Sequence, residues 1–182
     1  MGIISIIILF QGEQIMKKLN RLFLPILLLT STAIQADDKI YSFIGVQTSA
    51  AEFEDTTAPT IGFKYGKQSE NMRTSIAYSY GANSDKDYQT LIMQIDTGVL
   101  TNSFRDMAMK PYLGASFGVM QQKDSSVVPS TDRGYVYGAN AGISYLLNDA
   151  IDLDLSYRYL KTSKLENIDK INDFIFSMHY FY

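Results

Sequence analysis

Apolar and polar side chains alternate at every second position along most of this chain, which is the period of a β-strand with one apolar face. In the clearest segment, residues 151–159, Ile, Leu, Leu, Tyr and Tyr alternate with Asp, Asp, Ser and Arg. Beyond residue 38 we find this pattern repeatedly and no convincing helical periodicity. It predicts eight strands, at residues 39–48, 60–67, 72–80, 91–99, 111–121, 135–145, 151–159 and 171–182.

The last predicted strand has the most pronounced apolar face. A soluble protein would have to bury such a face, whereas a strand that contacts lipid on one side requires it, with aromatic rings at the water boundary. Tyr (13) also outnumbers Phe (10), and Tyr suits a membrane interface because its ring is buried while its hydroxyl stays hydrated. The large residues of this face are Phe174, Phe176, Met178, Tyr180 and Tyr182.

The N-terminal segment has the features of an export signal. Basic residues at 16–21 precede an apolar run that begins at Leu22, and Ala33 and Ala36 provide the small residues of a cleavage site. We predict a signal peptide at 16–36, cleaved after Ala36. A membrane anchor is the alternative, but the run falls short of the roughly 20 residues that a spanning helix needs. Residues 1–15 are either an upstream extension or a mis-called start, so translation begins at Met1 or at Met16.

The predicted domain is therefore residues 37–182, an all-β, eight-stranded, antiparallel, up-and-down transmembrane barrel preceded by a cleaved signal peptide. Eight strands can close on themselves, and the interior of such a barrel is narrow enough to be filled by side chains. If the apolar faces contact lipid, the polar faces line this lumen. Two hypotheses follow for these polar groups, a structural plug of ion pairs or a polar conduit with a proton-linked gate. The predicted lumen set is Lys64, Arg73, Gln94, Asp96, Asn140, Asp152, Asp154, Arg158, Asp173 and His179.

The net charge and the Cys and His content limit the partners, metal sites and catalytic roles that the chain can have. The whole chain carries a net charge of −3, which argues against a nucleic-acid partner because such binding needs basic patches. It has no Cys and a single His, so thiolate and multi-histidine metal sites are excluded and no cofactor is predicted. His179 beside Ser177 could act as a general base, although a structural role in the lumen is favoured. Asp85 and Asp87 could bind a divalent ion, although solvated loop charge is favoured.

The connections predict how the barrel sits in a membrane. With the N-terminus in the periplasm, the linkers at 50–59, 83–87, 123–132 and 162–170 lie outside, and the turns at 68–71, 100–108 and 147–149 lie inside. Outer-membrane barrels have longer outer loops and shorter inner turns. Two of the three inner segments are short, and the middle one is longer than this rule predicts.

The signal, the eight alternating strands and the aromatic last residue, Tyr182, together resemble the small outer-membrane β-barrel proteins of Gram-negative bacteria, the opacity-protein and porin-like surface proteins. The resemblance covers residues 40–182 and involves no catalytic motif. It implies an integral outer-membrane protein with a structural or surface role and at most narrow solute passage. It also implies that the last strand is an insertion signal, read by the barrel-insertion machinery.

The resemblance further implies contact with outer-membrane lipid and lipopolysaccharide, and outer loops that could meet a host or environmental ligand. Two alternatives remain open. One is a lipid-modifying enzyme on the same barrel, such as a lipid A hydrolase or acyltransferase, although we expect no enzyme. The other is a soluble periplasmic barrel that carries a lipid, which would place the apolar faces inside.

Overall fold

The structure, a computed structural model, describes residues 40–53, 56–69, 72–83, 86–98, 109–125, 130–165 and 168–182. These residues form one closed antiparallel barrel in which each strand pairs with the next and β8 pairs with β1. This confirms the predicted all-β, eight-stranded, up-and-down fold. The strands are β1 (Tyr41–Phe53), β2 (Thr56–Gln68), β3 (Met72–Asn83), β4 (Lys86–Thr97), β5 (Met109–Asp124), β6 (Ser130–Asn148), β7 (Ile151–Ser163) and β8 (Lys170–Phe181).

The barrel belongs to the unit Lys39–Tyr182. The predicted extension at 1–15 and the predicted signal peptide at 16–36 lie outside the described residues, and both stay predictions. Within the described part of the chain, no helix has the length and apolar character needed to cross a membrane.

Closure of the barrel depends on the pairing of its first and last strands. Ile44 of β1 lies opposite Tyr180 of β8, and the register continues without a shift to Phe53 opposite Ile171. The amide of Tyr182 adds a hydrogen bond of 3.0 Å to the carbonyl of Ser42. Both chain ends of the barrel therefore lie at one end, which we call the terminal end, and we call the opposite end the far end. Since β1 and β8 are paired, neither strand leaves an unpaired edge.

The alternating pattern separates an outer apolar surface from a filled interior. Along β7, for example, Leu155 is 62% exposed while its neighbours Asp154 and Ser156 are buried. Many outward side chains are large and apolar or aromatic, whereas glycines often point inward. At Gly138 a Cβ atom would collide with the backbone of Tyr159 on the neighbouring strand, so this position leaves no room for a side chain.

The strands extend further towards the far end than the alternation predicts. The segment 50–59, expected to be a loop, is paired up to Phe53 opposite Thr56, and the segment 83–87 is paired up to Asn83 opposite Lys86. The linkers expected at 123–132 and 162–170 are likewise shortened, because β5 runs to Asp124 and β7 to Ser163. Backbone pairing continues here because it satisfies N–H and C=O groups regardless of the side chains. The polar residues in these segments therefore do not indicate where the strands end.

The expectation of longer outer than inner connections is consequently wrong for this chain. At the far end, β1 and β2 are separated only by residues 54–55, whereas the longest connection, 98–108, joins β4 to β5 at the terminal end. Connection lengths therefore give no support to the predicted orientation, which must rest on other grounds.

Candidate functional site: the lumen and the two rims

The ten polar residues predicted from the alternation all lie inside the barrel. Each is between 0% and 8% exposed, with Arg73 the most exposed and His179 fully buried. The described buried residues include three cations (Lys64, Arg73 and Arg158) and four carboxylates, so their charges nearly balance. Buried charges are tolerated only when they are paired and hydrogen-bonded, which makes the partners of each group decisive.

Arg73 is the centre of the largest network, near the terminal end. Its guanidinium forms ion pairs with Asp152 (2.8 Å) and Asp154 (3.2 Å), two carboxylates on the same face of β7. Its Nε donates to Oε1 of Gln68 at 2.6 Å, and the Tyr112 hydroxyl donates to Asp154 at 2.9 Å. One cation thus joins β2, β3, β5 and β7 across the lumen.

His179 extends this network to β8. Its Nδ1 lies 2.6 Å from Oδ1 of Asp152, whose other oxygen already accepts from Arg73 and from the Ser144 hydroxyl. The imidazole packs against the Phe43 ring, with 4.8 Å between centroids. This single histidine is held by a carboxylate and an aromatic ring, which fixes its orientation.

A second, smaller network surrounds Asp96. The side-chain amides of Gln94 and Asn140 donate to its carboxylate at 2.7–3.0 Å, and the Ser116 hydroxyl donates to Asn140 at 2.8 Å. Gly114 makes room for this cluster, because a Cβ atom there would collide with the Asp96 carboxylate. Neutral amides therefore satisfy this carboxylate without a direct ion pair.

Three further charged groups occupy the middle of the lumen. Arg158 of β7 forms an ion pair with Asp173, its register partner on β8. Lys64 is 4% exposed, and none of the ion pairs found among the described residues involves its ammonium group.

The far half of the lumen is mainly apolar, with a few buried polar side chains such as Gln122, and the sequence interpretation missed this. Leu160, Val136 and Ile92 are each 1% exposed, and the rings of Phe53 and Tyr88 stack with 4.0 Å between centroids and 5° between planes. Ile92 and Val136 share the inward face with predicted lumen residues of their own strands, so continuing the alternation would have found them. The cluster comprises Ala51, Phe53, Ala58, Tyr88, Ile92, Met120, Val136, Leu160, Leu165, Ile168 and Ile171.

The predicted insertion-signal residues all point outward from the last strand. Phe174 is 62% exposed and Tyr182 is 66% exposed, and Phe176, Met178 and Tyr180 lie between 45% and 51%. Equally large apolar side chains cover the other strands, such as Phe63 at 69%. A soluble lipid-carrying barrel would have the opposite arrangement, so that alternative is wrong on geometry.

The structure gives little support to either candidate site, the catalytic pair Ser177 and His179 or the divalent-ion site at Asp85 and Asp87. Ser177 and His179 are both 0% exposed, and the Ser177 hydroxyl has no hydrogen-bond partner among the described residues. Asp87 accepts a hydrogen bond of 2.9 Å from the Tyr80 hydroxyl, while Asp85 lies outside the described residues. The described residues contain no cluster of three or more His, Cys, Asp or Glu side chains suited to a metal ion.

Comparison with known families identifies the chain. Residues 22–180 match the model of the family described as the outer membrane protein beta-barrel domain. The protein belongs to this family. As a member it is an integral barrel of the outer membrane.

Solved structures show the same fold for this family member. Neisserial surface protein A is 18% identical, with a TM-score of 0.62, over 78% of this chain and 96% of that one. Outer membrane protein H from P. aeruginosa is 21% identical, with a TM-score of 0.58, over 78% and 99%. The outer membrane enzyme PagL is 11% identical, over 76% and 98%, and its TM-score of 0.46 is too low to indicate a shared activity. No curated protein matches the chain.

Proposed function

We propose that this outer-membrane barrel is a non-conducting protein whose lumen is a structural plug and whose outer surface and far rim perform its function. The terminal end lies in the periplasm and the far end at the cell surface. The apolar far half of the lumen, closed by Phe53, Tyr88 and Leu160, is the observation that supports the proposal most directly.

The packing of the far half supports a closed lumen. Among the buried side chains around the Phe53–Tyr88 stack, a cavity of about 20 Å³ lies next to Arg158 and Asp173. This volume is close to that of one water molecule, so it provides no continuous aqueous path. An eight-stranded barrel is also only wide enough for its own side chains.

The pairing in the terminal half supports the same conclusion. A conduit would require polar groups that face open water, whereas Arg73 is held by Gln68, Asp152 and Asp154. An ion moving through would have to break these contacts and displace a buried cation, at a cost of several kcal/mol. We therefore prefer the plug to a proton-linked gate.

The proposed orientation follows from export and strand number. A chain cleaved after Ala36 and released into the periplasm starts β1 only a few residues later. With eight strands, both termini lie at the same end, so neither has to cross the membrane. In this orientation, the outward residues Phe174 to Tyr182 are presented to the insertion machinery from the periplasm. Sequencing the N-terminus of the purified protein checks the cleavage site.

The geometry does not favour the enzyme alternative. A lipid-modifying site needs its nucleophile and base near the outer leaflet, but Ser177 and His179 lie inside the terminal half, with His179 engaged by Asp152. The acyl ester of a lipid cannot reach them through a closed barrel wall. We therefore propose that the protein has no enzymatic role.

Planar bilayer recording tests the proposal. The wild-type protein, added to a phosphatidylcholine bilayer, is expected to give no single-channel current steps, while a general porin purified in the same way provides the positive control. Two variants locate any current that appears, Phe53→Ala in the lumen and Phe63→Ala on the lipid face. The proposal of a closed lumen would be overturned if the wild-type protein gave single-channel current steps that Phe53→Ala enlarged and Phe63→Ala left unchanged.

A further inference from the structure

A small cavity lies inside the barrel where the charged and the apolar parts of the lumen meet. Its volume is about 20 Å³, and it is lined by Arg158 of β7 and Asp173 of β8, which form an ion pair. The apolar side chains of Phe53 and Leu160 line it as well. By the same measure a water molecule needs roughly 10–15 Å³, so this cavity has room for a single water.

The ion pair beside this cavity uses only part of its hydrogen-bonding capacity. Nη2 of Arg158 donates to Oδ2 of Asp173, whereas Nε and Nη1 of Arg158 and Oδ1 of Asp173 have no hydrogen-bond partner among the described residues. Arg158 is 2% exposed and Asp173 is 4% exposed, so bulk water does not reach these atoms. Buried polar groups in native proteins are nearly always bonded to protein atoms or to ordered water, which makes a bound molecule necessary here.

Hydroxyl groups from other strands also line the cavity. They belong to Thr60 of β2, Ser79 of β3 and Thr90 of β4. The Ser79 hydroxyl accepts a hydrogen bond of 2.8 Å from Nε2 of Gln47, and a hydroxyl that accepts can still donate its own hydrogen. A small polar molecule in the cavity could therefore connect the ion pair on β7 and β8 with strands β2 to β4.

The groups around the cavity identify this molecule as water. The free N–H groups of Arg158 require an acceptor, and Oδ1 of Asp173 requires a donor. An anion would be repelled by the Asp173 carboxylate and a cation by the Arg158 guanidinium, whereas water is neutral and both donates and accepts. We propose that the cavity holds one structural water that accepts from Arg158, donates to Asp173 and reaches the Ser79 hydroxyl.

This water gives the plug a second connection across the lumen. Nearer the terminal end, Arg73 of β3 joins β7 directly through Asp152 and Asp154. At the level of Arg158 the water makes the corresponding connection, and the apolar cluster beyond it prevents rapid exchange with solvent. The inference rests on the closed lumen of the proposed function. Current steps in the bilayer recording would refute the closed lumen, whereas a protein that conducts nothing and binds no water would refute this inference alone.

Nuclear magnetic resonance of the isotope-labelled protein in detergent micelles tests the inference. In the wild-type protein we expect a nuclear Overhauser cross-peak between the Nε proton of Arg158 and the water resonance, and the rotating-frame spectrum separates this contact from chemical exchange. Ser79→Thr adds one methyl group to the wall of the cavity, keeps the hydroxyl and should abolish the cross-peak. Ser75→Thr is the matched control, because Ser75 is buried on the same strand away from the cavity, and this variant should keep the cross-peak.

Two results of this measurement would overturn the inference. If the wild-type protein gave no cross-peak, the cavity would hold no long-lived water. If the cross-peak were as strong in Ser79→Thr as in Ser75→Thr, the water would lie elsewhere, because the added methyl group would not have displaced it. The wild-type spectrum decides the first point even if a variant fails to fold.

Urea unfolding in phosphatidylcholine vesicles tests whether this water bridges the ion pair. Filling an empty cavity stabilises a protein, whereas displacing a well-ordered water removes its hydrogen bonds. Ser79→Thr should therefore lower the midpoint urea concentration of the wild-type protein. It should not lower the midpoint of the variant with Arg158→Met and Asp173→Leu, in which no charged group needs the water. A higher midpoint in the wild-type background, or an equal loss in both backgrounds, would contradict the bridge.

Discussion

The two halves of the lumen are filled by side chains of opposite character, charged and polar in the terminal half and mainly apolar in the far half. In the terminal half, Arg73, Asp152, Asp154 and His179 form a connected network of ion pairs and hydrogen bonds. In the far half, aromatic and aliphatic side chains such as Leu160 fill the space instead. Both halves are lined by inward positions of the same strands. An inward position in a barrel therefore requires a side chain that fits the available space, and this side chain can be polar or apolar.

The two solutions differ in how they tolerate change. A buried ion network depends on every member, because removing one partner leaves another charge buried and unpaired. An apolar cluster loses stability in proportion to the transfer free energy and the cavity that a truncation leaves. The following substitutions measure this difference, in order of decreasing expected effect.

Arg73→Met should have the largest effect. It removes the cation that pairs with both Asp152 and Asp154, and we expect a loss of about 3–5 kcal/mol in the free energy of unfolding. Urea titration of the protein in phosphatidylcholine vesicles, followed by gel mobility, measures it. Adding Asp152→Asn and Asp154→Asn to this variant should recover part of the loss, since the unpaired charges are then gone. A triple variant as unstable as Arg73→Met would show that packing, and not charge, dominates this half.

Leu160→Ala should destabilise the far half by about 2–5 kcal/mol, because the lumen cannot refill the space. Leu155→Ala on the same strand is the matched control. Leu155 is 62% exposed to lipid, and acyl chains fill the gap that its truncation leaves, so only the transfer term of about 1–2 kcal/mol is lost. The same urea titration compares them. Equal losses at the two positions would mean that the far half is loosely packed.

Ser177→Ala should have the smallest effect. Its hydroxyl is buried without a hydrogen-bond partner among the described residues, so its removal should change stability by less than about 1 kcal/mol or stabilise the protein. The mass spectrum of lipid A from cells that express this variant, or His179→Ala, should match that of wild-type cells. A lipid A species that wild-type cells contain and both variants lack would instead assign an enzymatic role to this pair.

The strand centres could be predicted because alternation is a local property of the sequence. Residues 151–159 indicate their two faces without reference to any partner. The strand ends could not be predicted in this way. The pairing of Phe53 with Thr56 lies beyond the apolar band and depends on the backbone of the neighbouring strand. The inward position of Arg73 was likewise predictable, but its partners were not, because Asp152 and Asp154 lie 79 and 81 residues away in sequence.

By itself, the sequence determined the class of fold and the medium around it: eight strands, an apolar outer face and a mixed interior. Side-chain direction reverses at each residue of a strand, so polarity along the chain maps directly onto faces. Only the tertiary structure decided which charges meet in the lumen and how far the strands stay paired towards the far end. These depend on the register between strands, which brings residues together that are distant in sequence.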